Sequence, residues 1–197
     1  MDMIYWDHYY NSVLLINLSI VIALFACLRS FSGMIAHIDA TDELLRKDNP
    51  AFGISLAGAT FGLALVLTGT IFGNPEGDIV QGAVTVALFG IIGVVLMAVT
   101  RMIFSKLTLP AISLRDEIMN GNVAVAIADA GNVVASAVII RAVMIWVQGT
   151  SLDGLITVLG GYAVSQVLLT GLSFMMIKGF ALFHKGYNFQ DQLKSGN

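Results

Sequence analysis

The chain has 197 residues, 57% of them hydrophobic and 12% charged, with a formal net charge of -3 and a mean hydropathy of +0.84. Those values exclude an ordinary soluble domain, and an acidic balance with no basic patch excludes a nucleic-acid binder. The composition predicts a lipid bilayer as solvent.

The amino-terminal stretch MDMIYWDHYY carries acids and aromatics where a secretory signal has a basic region, so the first apolar run is expected to stay in the mature protein. Tyr5, Trp6, Tyr9 and Tyr10 are placed to anchor at headgroup level. The first span covers 10–28 and contains Cys27, the single cysteine, which leaves no disulfide framework and no cysteine metal cluster. A polar motif, DELLRKDN, follows from Asp42 to Asn49. Asn49 with Pro50 behind it is a helix start, because the Asn side chain accepts from first-turn amides and Pro suits the first helical position. The second span is 51–72 and the third 80–100. Ser113 and Asp116 then form a capping box for a short helix ahead of DEIMNGN, whose closing Asn122 caps the fourth span, 123–147. Trp146 marks that span's far boundary. A fifth span covers 155–177, and the chain closes on DQLKSGN, Asp191 to Asn197.

Each span approaches the roughly 20 residues needed to cross a hydrocarbon core. The runs are continuous and rich in Gly, Ala, Val and Leu, without the alternation of a barrel strand. Backbone groups in lipid must be satisfied within the segment, so the predicted class is all-α, a polytopic transmembrane bundle of five spans. Nine of the ten basic residues fall on one side of that bundle: Arg29, Arg46, Lys47, Arg101, Lys106, Arg115, Lys178, Lys185 and Lys194. The opposite side holds Asp2, Asp7, Glu76, Asp78 and Asp153. The bias predicts an outer amino terminus and a cytoplasmic carboxyl terminus.

The closing asparagines Asn49, Asn122 and Asn197 recur at intervals of 73 and 75 residues, which marks a repeat of one inward helix, a polar motif and one outward helix. The units read as 1–73, 74–147 and half a unit in 148–197. The segments RKDNPAFGISLAGATFG and NGNVAVAIADAGNVVAS each follow an acidic pair, and each has a glycine nine residues past its Asn. This resembles the bacterial family called domain of unknown function 350, whose two-helix units occur in tandem. The resemblance implies a bacterial inner membrane and brings no established activity or catalytic residues. Two positions depart between the copies: Pro50 stands opposite Val123, and Leu56 opposite Asp129.

Asn122, Asp129, Asn132 and Ser136 share one face of the fourth helix, and an acidic residue in a span is a functional-site hypothesis by default. Arg141 lies about 18 Å along the axis at 1.5 Å per residue, too far to pair with Asp129 within the helix, so it is expected to snorkel outward or meet a neighbour. Gln166, mid-way along the fifth helix, is the expected hydrogen-bond partner of Asp129. Two readings stand: polar glue that fixes packing or subunit contacts, or a proton or cation site lined by Asp129, Asn132, Ser136 and Gln166. Small residues at four-residue spacing, Gly58 with Gly62, Gly69 with Gly73, and Ala124, Ala128 and Asn132, predict close helix contacts, within the chain or between copies. His8, His37 and His184 show no metal-ligand spacing, and no nucleophile set, phosphate loop or dinucleotide fingerprint occurs. The expectation is a membrane scaffold or assembly partner without cofactor, metal or enzymatic activity, with an ion conduit through Asp129 as the alternative. Because DQLKSGN repeats the register of DEIMNGN without a returning helix behind it, the chain is also expected to be part of a longer protein, or a shortened relative of one.

Overall fold

A computed structural model describes residues 8–36, 39–72, 78–146, 151–184 and 186–196, with residues 10, 28–36 and 72 described by their backbone alone. The long helices are α1 (His8–Ala36), α3 (Pro50–Phe72), α4 (Ile79–Ile103), α6 (Val123–Ile145) and α7 (Leu152–Phe183). Three short ones, α2 (Ala40–Leu45), α5 (Leu114–Met119) and α8 (Phe189–Lys194), are the polar motifs. The fold is an all-α bundle. Helices α3, α4, α6 and α7 are long and apolar enough to cross a membrane, and α1 carries a shorter apolar run, Asn11–Cys27.

Local chemistry starts these helices where the sequence predicts. The Asn49 side-chain oxygen accepts from the Phe52 amide at 3.1 Å, and that of Asn122 from the Val125 amide at 3.1 Å. Ser113 Oγ accepts from the Asp116 amide at 3.4 Å and donates to its carboxylate at 2.7 Å, so the short helix before Asn122 forms. Each closing Asn follows a residue in the left-handed region: Asp48 (φ 46), Gly121 (φ 83) and Gly196 (φ 81). That turn lets a six-residue helix stop and the next helix start within a few residues. Asn197 itself lies outside the described residues, as do Tyr5, Trp6, His37, Gly73, Glu76 and Lys185.

α1, α4 and α7 run beyond the predicted spans, while α6 ends at Ile145, two residues short of its own. α4 passes directly into a π-helical turn, Phe104–Thr108, so the apolar helical stretch reaches 30 residues. At 1.5 Å per residue this is about 45 Å, longer than a hydrocarbon core of about 30 Å. Arg101 therefore sits inside a helix rather than at its end.

The core lies between α3, α4 and α6. Leu63, Val66, Leu67, Phe89, Leu96, Val133 and Ile140 fill its middle, with Leu24 from α1 and Tyr162 from α7 at the sides. A second cluster under the motifs joins Ala51, Phe104, Leu109, Ile118, Val125 and Leu193. α3 and α6 make the most extensive contact in the molecule. A Cβ on Gly58 would stand 2.5 Å from the Ala130 Cβ and 2.7 Å from its Cα, so the two backbones touch there and only glycine fits. Gly69 meets the Arg141 backbone in the same way.

Candidate functional site

Asp129 is 1% exposed, about two turns from the start of α6. Its carboxylate is engaged from two other helices. Arg101 of α4 donates from Nε to Oδ1 at 2.9 Å and from Nη2 to Oδ2, while Ser55 of α3 donates to Oδ2 at 2.7 Å. Arg101 Nη2 also donates to Ser55 Oγ, which closes a ring of three side chains from three helices. The guanidinium fork meets a carboxylate in two parallel bonds, the arrangement that gives such a pair both strength and a fixed orientation.

Sequence reasoning chose a different partner. Gln166 does not bond Asp129; its Nε2 donates to Ser136 Oγ at 3.3 Å and ties α7 to α6. The reason is one of depth: Ser136 lies two turns, about 10 Å, further along the same face of α6, and Gln166 stands at its level rather than at that of Asp129. Arg141 meets a neighbouring helix, donating from Nε to Thr68 Oγ1 of α3 at 2.9 Å. Asn132 follows Asp129 on this face with its Nδ2 buried and without a hydrogen-bond partner among the described residues. Asp129, Asn132 and Ser136 thus follow one face of α6 over two turns, Gln166 reaches that face from α7 only at Ser136, and the four do not converge on a single point. Arg101 and Ser55 were missed. The apolar run ends at Thr100, which placed Arg101 with the headgroup charges, and a serine in an apolar helix carries no signal of its own.

The repeated asparagines do more than cap. Asn49 also donates from Nδ2 to the Ile118 carbonyl at 3.0 Å and the Met119 carbonyl at 3.3 Å, at the carboxyl end of α5. Asn122 does the same one unit later, reaching the Leu193 and Lys194 carbonyls of α8 at 3.1 and 3.0 Å. One amide side chain therefore satisfies the free amides that start its own helix and the free carbonyls that end the next unit's motif helix. Each amide also meets the acidic residue of its own motif, Glu43 at 3.2 Å and Glu117 at 3.0 Å. Glu43 is 2% exposed. Lys47, 2.5 Å from Oε1, holds its carboxyl below the usual range against the opposing effect of burial, and Asn49 adds to the lowering.

These contacts link unit to unit through one recurring residue, and the comparisons agree with that organisation. A protein-family model described as Domain of Unknown Function (DUF350) matches residues 4–144 and again residues 78–197. The two overlapping matches start close to one repeat period apart and point to a tandem repeat. The chain belongs to this family. Comparison with curated proteins and with solved structures found no match.

Proposed function

We propose that this DUF350 member is a non-catalytic, membrane-embedded scaffold of the bacterial inner membrane, whose repeated units hold a rigid helical frame and whose polar motifs form the contact surface on the cytoplasmic side. The observation that supports it is the state of Asp129. A carboxylate meant to exchange protons or cations needs an open coordination position or a path to water, whereas this one accepts two bonds from Arg101 and one from Ser55. It acts as a three-helix clasp. The asparagine links between motifs serve the same end, since they hold successive units in register. A second reading, a small-ion or proton conduit, draws on the unpartnered buried amide of Asn132 beside the Ser136 and Gln166 pair.

Ion flux separates the two. Purified protein in liposomes under a proton or potassium gradient is expected to leak no faster than protein-free liposomes. Flux that disappears in Asp129→Asn while the helical content is kept would establish the conduit instead.

The orientation rests on the distribution of basic residues, and thiol labelling tests it. In a Cys27→Ser background, Arg46→Cys and Lys106→Cys are expected to be shielded from an impermeant reagent in intact cells, and Asp153→Cys to react. All three parent side chains lie on exposed residues. The opposite pattern reverses the topology.

A further inference from the structure

α3 and α6 hold equivalent places in successive units, so each residue of one has a counterpart 73 positions away on the other. α6 meets α3 through Asp129, Ala130, Val133 and Ala137. Their counterparts on α3 are Leu56, Ala57, Thr60 and Ala64, and these line a groove of about 490 Å³ bounded by Phe25 of α1 and Leu44 of α2. The Thr60 hydroxyl is spent on the Leu56 carbonyl at 2.7 Å, which leaves the groove apolar. The reverse comparison is equally uneven. α3 meets α6 through Ser55, Gly58 and Gly62, whose counterparts on α6 are Ala128, Gly131 and Ala135. Gly58 is pressed against Ala130, but a Cβ on Gly131 would meet nothing within 4 Å. One contact joins the two helices inside the chain, and both halves are repeated on their outer sides, where Ala57 and Gly131 are exposed and Ala128 also packs against the cluster under the motifs.

We propose that the α3 groove is a docking site for a second copy of this chain, which enters it with the Ala128, Gly131 and Ala135 face of its α6. The choice of occupant comes from the molecule itself: the α3–α6 contact demonstrates that a helix with small residues at this spacing closes on the counterpart surface to backbone distance. In a bilayer such contacts form through packing at small residues, since lipid tails are as apolar as the side chains. Each copy uses two different surfaces, so the association is head-to-tail and continues until it closes as a ring or extends as a row. The register that repeats the internal contact puts α7 of the entering copy in the place that α1 holds in the receiving one, just as α4 stands between α3 and α6 inside the chain, so α1 must give way. It rests chiefly on α4 and only lightly on α3. The inference deepens the scaffold reading, on which it rests, by naming the partner.

Cross-linking tests it in the full chain. Ala57→Cys and Gly131→Cys are made separately in a Cys27→Ser background, one of them tagged, and are reconstituted alone and mixed in phosphatidylethanolamine and phosphatidylglycerol vesicles under mild oxidation. A disulfide requires Cα atoms within about 7 Å of each other. The mixture is expected to give a disulfide-linked dimer containing one of each, several-fold above either variant alone. Equal dimer from a single variant, or none from the mixture with both thiols reactive, overturns the proposal. Ala57→Trp and Gly131→Leu, both at exposed sites, are each expected to lower the assembly's native mass while helical content is retained, and an unchanged mass also overturns it. Failure here with ion-tight liposomes removes self-docking alone, whereas gradient-driven flux removes the scaffold reading whatever the cross-link shows.

Discussion

Arg101→Met is expected to cost the folded protein about 3 to 5 kcal/mol in detergent, the effect of stranding one member of a buried ion pair. Most proteins have about 5 to 15 kcal/mol of stability in all, so the variant should lose a large share of it and melt well below the wild type. The two members are not equally buried. The Asp129 side chain is 1% exposed and that of Arg101 36%. Removing Arg101 leaves a buried carboxylate without its charged partner, while removing Asp129 leaves a guanidinium that is partly exposed and can turn its long stem toward the interface. Asp129→Leu should therefore be the milder change. The first unit carries leucine at the counterpart position, Leu56 of α3. The double variant Arg101→Met with Asp129→Leu is expected to recover most of the loss, because a buried pair replaced by apolar groups of similar volume is often near neutral. Thermal melts followed by helical content across the four proteins give the coupling. Strict additivity of the two single effects would show that the pair does not act as a clasp.

Gly58→Leu is expected to disrupt the bundle, and Gly131→Leu, at the same place in the next unit, to leave its helical content and melting temperature near wild type. At Gly58 even the Cβ would lie 2.7 Å from the Ala130 Cα, which belongs to a backbone and cannot turn aside. The two helices must separate. Overpacking of this kind typically costs about 1 to 3 kcal/mol, and here it also pulls apart the Ser55 to Asp129 bond one turn away. At Gly131 a Cβ meets no neighbour within 4 Å. Both variants gain the same helix-favouring difference of Leu over Gly, so propensity cannot explain a gap between them. Equal melting of the two would mean that α3 and α6 do not pack at Gly58.

Much of this protein could be read without coordinates, because the signals involved are local or periodic. The bilayer, the long helices and the repeat follow from composition, run length and spacing, and the caps at Asn49, Asn122 and Ser113 involve partners three residues away. Helix ends were less legible. A hydropathy run stops at the first charge, whereas a backbone continues while its hydrogen bonds are met, which is why α4 carries Arg101 past Thr100 and on to the π-helical turn.

What a polar residue reaches on another helix was decided by the tertiary structure. The acid at Asp129 was evident as an unusual residue, but its partners are 28 and 74 residues away; Gln166 stands two turns beyond it, at the level of Ser136 on the same face, and which neighbours Asp129 meets depends on which helices that face is set against. That choice is made by the close approach at Gly58 and Ala130, which fixes the rotation of α6 against α3 and so turns Asp129 toward Arg101. The second bonds of Asn49 and Asn122, to carbonyls 69 to 72 residues on, are of the same kind. A repeat period announces that such residues are equivalent, while only packing determines that each one holds the unit that follows it.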